Sequence, residues 1–336
     1  MVTLSDVAHR LGISSSTVSK ALNGAYDVSD ELRSQILTTA VSMGYLSPRM
    51  RKKDSHKLAV LIENTEYTSP DSFGYDLVLG FQHMAMQNGW HSDVLPFSPS
   101  LQTLDPYDTF MKHRGYSGAF LIGFALHEDW MLGIDQIQTP AVLFDNYAQN
   151  NPHVSYVGTD NYEGIHKCVS LLVSSGHRRI AFLNGSANCF VSAQRAEAFR
   201  RSMAEFQLPV LPELTGSGYF IPETASWFVS GFLQNKATAI VCSSDLLAQG
   251  AISECLRLGF HVPEDISITG FDDIPVAREM IPPLTTVRQD RLITGECAFH
   301  TLISLINRIP ISKTILRATL MERSTVAPIR SAFLYP

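Results

Sequence analysis

Apolar residues at Leu4, Val7, Ala8 and Leu11 recur every three or four positions, which draws one stripe along the side of a short helix. Gly12 follows, the residue best suited to the left-handed conformation that ends a helix, and Ser14 then fits the cap of the next. In that second helix Val18, Ala21 and Leu22 turn inward, which leaves Ser15, Ser16, Thr17, Ser19 and Lys20 facing out, with Asn23 and Gly24 as its stop. Helices this short do not sustain themselves. A third, capped by Ser29, offers Leu32, Ile36, Leu37, Ala40 and Val41 on its way to Gly44 and Tyr45 and completes a three-helix core. A helix, a turn containing Gly and a second helix faced with hydroxyls and one Lys suit the DNA major groove, where such side chains meet base edges and phosphates. A plain helical hairpin with a solvated face is the alternative, and the combined start, stop and turn signals weigh against it.

Beyond residue 57 the pattern changes to apolar runs of strand length alternating with helical periodicity. Strands are predicted at 58–63, 92–97, 118–124, 140–145, 154–158, 179–184, 238–243 and 265–270. Helices are predicted at 74–88, 101–113, 161–175, 192–206, 223–234, 245–258 and 289–307. Strands joined by helical crossovers imply an α/β core with parallel sheets. So many elements exceed one doubly wound sheet, so two lobes are expected, with ligands at the strand C-termini.

The 336 residues, 45% hydrophobic and 17% charged, have the composition of a soluble globular protein of two or three domains. No apolar run is long enough to span a bilayer, and the polar start differs from a signal peptide, so a cytoplasmic protein without a membrane partner is expected. Residues 1–57 hold 8 Lys plus Arg against 5 acids, a net of +3, whereas the remainder holds 18 against 27, a net of −9. Only the head has the charge for DNA. Its densest basic run, Arg49-Met50-Arg51-Lys52-Lys53, follows Pro48 and reads either as a linker beside a phosphate backbone or as a solvated tether. The five cysteines, at 168, 189, 242, 255 and 297, form no CxxC pair and suggest neither zinc nor disulfides. There is no GxGxxG after a strand, no GxxxxGK[ST], no GxSxG and no HExxH, and the 11 histidines lack metal-ligand spacing. An enzyme is not expected, and no cofactor or metal is implied.

The head holds Asp6-Val7-Ala8, Gly12-Ile13-Ser14, Thr17-Val18-Ser19, Leu22-Asn23 and Gly44-Tyr45. The core holds VGTDNYEGIHKCVSLLVSSGHRRIAFLNG, AIVCSSDLLAQGAISECLRLGFHVPEDISITGFDDIPVAREMIPPLTTVRQD and the closing MERSTVAP. In these motifs the chain resembles the LacI/GalR family of transcriptional regulators. This implies an all-α helix-turn-helix head at 1–46, a short basic hinge at 47–57 and a periplasmic-binding-protein-like core at 58–336. Lobe 1 would span about 58–158 and 286–318, and lobe 2 about 159–285 and 319–330. Three crossovers would join the lobes, which close on a small effector, here expected to be a carbohydrate. It further implies a homodimer that reads a palindromic operator as a repressor, with effector and DNA affinity linked through one conformational equilibrium. A solute receptor and a regulator answering a protein partner are the alternatives.

The same resemblance places Ser15, Ser16 and Lys20 at base-reading positions, and Leu4, Ser5, Thr17, Asn23, Ser29 and Tyr45 at positions that touch phosphates or the groove edge. Thr17 can instead cap its own helix. The family's hinge carries a Leu that wedges into the minor groove; here only Met50 is available, which leaves Arg49 and Arg51 for phosphates or a narrow groove. For the effector, the resemblance assigns Arg195 as a two-pronged donor, Asp272 as an acceptor, Ser244, Asp145 and Gln289 as polar contacts, and Phe220, Phe73 and Tyr75 as aromatic ones. Arg195 can instead pair with Glu197 or Asp272, and the aromatics can serve packing alone. Asp245 and Asp273 read as helix caps and stay outside the site.

Overall fold

The computed structural model describes residues 2–22, 28–43, 45, 56–97, 105–125, 127–148 and 150–329. Asn23, Arg49 and Arg51, together with the stop at Gly24, residues 47–55 of the expected hinge and residues 101–104 of the helix expected at 101–113, lie outside the described residues. By contact density the chain divides into Met1–Gly158 with Asp290–Thr314, and Thr159–Gln289 with Ile315–Pro336.

The first unit opens with helices α1 (Leu4–Leu11), α2 (Ser15–Leu22) and α3 (Asp30–Ser42). Thr3 and Asp6 cap α1 reciprocally, and Gly12, at φ 67°, closes it by donating its N–H back to Ala8 and His9. Ser14 Oγ accepts from the Thr17 N–H at 3.1 Å, and Ser29 Oγ from the Leu32 N–H at 3.3 Å, so both expected caps are in place. Val7, Val18, Ala21, Ile36, Leu37 and Ala40 are fully buried between the three helices.

The rest of this unit is a six-stranded sheet: β1 (His56–Ile62), β2 (Trp90–Pro96), β3 (Gly118–Ile122), β4 (Ala141–Phe144), β5 (Val154–Thr159) and, from far along the chain, β11 (Lys313–Leu316). The order is β11-β5-β4-β3-β1-β2, with parallel ladders among β1 to β5. Around it lie α4 (Phe73–Gln87), α5 (Tyr107–Arg114), α6 (Asp129–Leu132) and the late α12 (Arg291–Ile306). Helices α4 and α12 touch backbone to backbone: a Cβ on Gly80 would lie 2.1 Å from Leu292 O, and one on Gly295 equally near Leu77 O. The head is packed on this pair, with Leu79 and Met86 in the same buried cluster as Val18 and Leu37, Tyr75 and Leu292 alongside, and Tyr75 Oη 3.0 Å from Thr38 Oγ1.

The second unit repeats the plan with β6 (Ile180–Asn184), β7 (Thr215–Ser217), β8 (Ala239–Cys242), β9 (Ser267–Asp272), β10 (Thr285–Arg288) and β12 (Thr319–Met321), ordered β12-β10-β9-β8-β6-β7. All ladders are parallel except β10 with β12. Its helices are α7 (Asn161–Ser174), α8 (Phe190–Glu205), α9 (Val229–Gln234), α10 (Asp245–Arg257) and α11 (Val276–Glu279). The helix expected at 223–234 is in fact a 3-10 turn, Pro222–Trp227, followed by α9. Phe228, at φ −121° and ψ −35°, breaks the run. Strands β7, β10, β11 and β12 are not predicted because TGS, TTVR, KTIL and TLM hold at most two apolar residues in a row, whereas the equally short β4 and β8 are apolar throughout.

Among the described residues no helix is long and apolar enough to cross a membrane, and no cluster of three or more His, Cys, Asp or Glu could hold a metal.

Candidate DNA interface and effector site

On the head, packing and polarity separate as the periodicity requires. Ser5, Ser15, Ser16, Lys20 and Ser29 are exposed, whereas Leu4 leans on the core that holds Val7 and Val18. Ser5 Oγ lies 3.4 Å from Ser15 Oγ, so the start of α2 is held beside α1. Ser16 and Thr17 place their hydroxyls 2.7 and 2.8 Å from Ser14 Oγ, so both are partly committed to the helix cap. Hydroxyls, however, can donate and accept together, and a cap hydroxyl retains one role for a base edge or phosphate. Tyr45 is buried in the head core, its N–H bonded to Ala40 O at 3.0 Å.

In the first unit, Tyr75 is turned away from the other two effector candidates, Phe73 and Asp145. Phe73 opens α4 against Phe144, at 5.8 Å between ring centroids, with the Arg291 guanidinium 5.7 Å from its ring. Two residues on, Tyr75 turns to the head and bonds Thr38. Asp145 ends β4 at φ 50°, a left-handed conformation that Asp tolerates better than most residues. Its neighbour Gly158 is there for want of space, since a Cβ would meet Asp145 Oδ1 at 2.7 Å and Tyr156 Oη at 2.3 Å.

The second unit does bring its candidates together. Parallel strands end on one edge of the sheet, so Ser243 and Ser244 after β8, Asp272 at the end of β9 and Gln289 after β10 are neighbours by topology. Into this edge α8 lowers Arg195, 2% exposed. Its guanidinium lies 3.8 Å from the centre of the Phe271 ring, donates through Nε to Asn161 Oδ1 at 2.8 Å and through Nη1 to Ser243 O at 2.6 Å, and stands 3.7 Å from Asp272 Oδ1. That carboxylate also accepts from Gln289 Nε2 at 2.7 Å. The expected pairing with Asp272 is present, while Glu197 pairs with Arg200. The geometry differs from a free two-pronged donor: Nε and Nη1 serve the protein, and Nη2 has no partner among the described residues.

Ser244 is 2% exposed and its Oγ accepts from the Leu247 N–H at 3.2 Å, which makes it the cap of α10. Asp245, expected as a cap, is instead fully buried, with Oδ1 accepting from Thr286 Oγ1 and Oδ2 from the Ile274 N–H at 2.9 Å. Burial first, and then the charge of Asp272, push its carboxyl well above the usual carboxylate range. Asp273 is no cap either. Its buried carboxylate takes Arg323 Nη2 at 2.5 Å and Arg288 Nε at 2.8 Å, with Arg278 at 3.5 Å. Burial works to raise its pKa, but the hydrogen bonds and charges of Arg323 and Arg288 prevail and hold it below the ordinary value. Phe220 rests on Gly185, where a Cβ would enter the ring at 2.1 Å, and its rim joins the apolar cluster around Leu214 and Ala225.

Asn161, Ser243 and Phe271, which touch Arg195, and Gln194, which Asn161 holds, are not singled out by the sequence. Asn161 follows the helix cap Asp160, where a polar residue draws no attention, and only the fold carries it to Arg195. A cavity of about 480 Å³ between α8 and β7, lined by Phe182, Phe199 and Phe228 among others, includes none of the eight effector candidates.

This head and this core have close parallels. Residues 3–47 match the profile of bacterial regulatory proteins of the lacI family, and 169–326 match the periplasmic binding protein-like domain. The HTH-type transcriptional regulator reg1 of Streptomyces lividans is 31% identical over 319 residues, covering 91% of each chain. The chain belongs to the LacI family of bacterial regulators. An HTH-type transcriptional repressor PurR of Erwinia tasmaniensis is 27% identical and covers 97% of both chains. Among solved structures, a complex of the transcriptional regulator CelR with cellobiose superposes with a TM-score of 0.72 at 23% identity, over 97% of this chain and all of the other. The lac repressor dimer bound to operator gives 0.69 at 22%, over 97% and 99%. As a LacI-family member the protein is a DNA-binding transcriptional regulator and not an enzyme. The two-sheet architecture is that of the family's core.

Proposed function

We propose that this regulator is a cytoplasmic, homodimeric repressor whose grip on a palindromic operator in the nucleoid is set by a carbohydrate effector. The domain division that serves this reading is a head at 1–46, a basic linker at 47–57 and an effector-binding, dimerising core at 58–336. On the DNA side, Ser15, Ser16 and Lys20 read bases, while Leu4, Ser5, Thr17, Asn23, Ser29, Tyr45, Arg49 and Arg51 approach phosphates or the groove edge. Two short heads on one dimer make enough contacts for specificity, which a single head does not.

The observation that carries the effector half is Arg195, a buried cation stacked on Phe271 with a carboxylate and an amide beside it at the strand ends. A donor array next to Asp272 matches a ligand that accepts and donates through neighbouring oxygens, as a sugar does. Two of the similar solved structures are described as holding cellobiose or ribose, which favours the same class. Phe220 supplies an apolar surface for a sugar ring, and Ser244 and Gln289 complete the proposed set in this unit.

The experiment is selection of full-length protein on a random duplex library, followed by operator titration with and without a panel of mono- and disaccharides. A palindromic site and at least one sugar that shifts operator affinity are expected. Absence of any preferred duplex refutes the DNA half; a preferred duplex indifferent to every sugar refutes the effector half.

A further inference from the structure

Arg195 Nε is a donor only, since a guanidinium never accepts. The amide of Asn161 therefore has to turn Oδ1 toward it, which the 2.8 Å contact shows. Its Nδ2 is then committed to donating, and it does so at 2.8 Å to Gln194 Oε1. With Oε1 occupied as an acceptor, Gln194 must present Nε2, which has no partner among the described residues on this half-buried side chain. The order of forced choices runs Arg195, Asn161, Gln194, and each amide has one orientation that satisfies its neighbour. Asn161 is 6% exposed, so water competes little for either of its bonds.

We propose that Asn161 is a positioning residue that fixes Arg195 and Gln194 as a single row of donors, and that Gln194 Nε2 selects effectors carrying a second acceptor oxygen beside the one held by Arg195 Nη2. This rests on the sugar reading above and narrows it to ligands with two adjacent acceptor oxygens, such as a vicinal diol or a hydroxyl next to the ring oxygen. Sequence-adjacent side chains on a helix diverge by about 100°. Here a buried amide bridges that divergence, and a hydrophobic residue at 161 would leave Arg195 and Gln194 to point independently.

The test uses the full-length protein and the variants Asn161→Asp, Asn161→Leu, Gln194→Met and the double Asn161→Asp/Gln194→Met. Calorimetry is run with cellobiose, D-ribose, D-glucose and D-glucuronate. A carboxylate at 161 still accepts from Arg195 but cannot donate, so Gln194 must invert and present Oε1 instead. For any of these sugars that the natural protein binds, Asn161→Asp and Gln194→Met are each expected to weaken binding about tenfold, the worth of one hydrogen bond to an otherwise unpaired group. The double variant should be no weaker than either single one, because both remove the same donor. Fully additive losses, or unchanged affinity in Gln194→Met, overturn the proposal. In the sugar-free protein, nitrogen-15 NMR should show the Arg195 Nε–H exchanging slowly in the natural and Asn161→Asp proteins and fast in Asn161→Leu. Equal exchange in all three overturns the positioning role even if no sugar on the panel binds, an outcome that by itself refutes the effector reading. If Asn161→Leu fails to fold, the comparison of Asn161→Asp with Gln194→Met still decides.

Discussion

Replacing Asp273 by Asn should separate a buried ion cluster from surface pairs of the same chemistry. The Asp273 side chain has no exposure, Arg323 beside it only 15%, and the outer cations Arg288 and Arg278 have 38% and 61%. Breaking a buried pair by removing one partner costs about 3–5 kcal/mol, whereas an exposed pair is worth about 0–1 kcal/mol. Because Arg288 and Arg278 can turn to water, the penalty falls mainly on Arg323, and about 3 kcal/mol is expected for Asp273→Asn. Glu197→Gln is the internal control. Its pair with Arg200 is 57% and 60% exposed, and it should cost no more than about 1 kcal/mol. Urea unfolding of the full-length protein by circular dichroism measures both. The pH dependence adds a sign. Asp273 has its pKa depressed in the folded state, so the stability it confers is complete above the ordinary value of 3.8 and disappears as pH falls through the lower folded value. The gap between the natural protein and Asp273→Asn should therefore be constant near neutrality and narrow below about pH 4. Equal costs for the two substitutions at pH 7, or a gap that widens on acidification, would refute the reasoning.

Asp245→Asn should show the opposite trend. The folded pKa of Asp245 is raised, so its contribution is present below the unfolded value of 3.8 and is lost as pH climbs through the folded one. The variant should gain on the natural protein by up to about 1.4 kcal/mol per pH unit within that window, read by the same urea titrations, and parallel curves would contradict it. Lys20→Ala on the exposed side of α2 should weaken operator binding and lower the slope of log affinity against log salt by about 1; an unchanged slope in filter-binding assays removes Lys20 from the interface. Gly185→Ala drives a methyl into the Phe220 ring and should weaken sugar binding at least tenfold by calorimetry if that ring faces the effector, with no change if it serves packing alone.

Much of this molecule is legible from local rules. The head follows from caps and a three-to-four spacing, and Thr3, Gly12, Ser14 and Ser29 each act where short-range chemistry puts them. Long crossovers and apolar strands are equally plain, because a buried parallel strand such as Gly118–Ile122 is apolar on both faces. What stays hidden depends on neighbours distant in sequence. Strand β10 is TTVR, and it is a strand because β9 and β12 flank it. In the site, Arg195 and Asp272 stand out by residue type, but Asn161 gains its role only from a partner 34 positions away. Asp245 and Asp273 mislead in the reverse direction. Each stands in the sequence as a helix cap would, yet the fold buries both and brings Thr286 to one and to the other Arg288 from β10, Arg278 from α11 and Arg323 from beyond β12.

Strand β11 and helix α12 complete the first unit with residues 290–314, after the chain has built nearly all of the second. On a ribosome, α4 thus waits with Gly80 and Leu77 facing nothing until residues 291–306 emerge to cover them. Long-range parallel pairing of this sort forms slowly, and it leaves an apolar helix flank open for the interval. A product terminated before residue 291 should therefore be a chaperone or protease substrate, because the flank of α4 then stays uncovered.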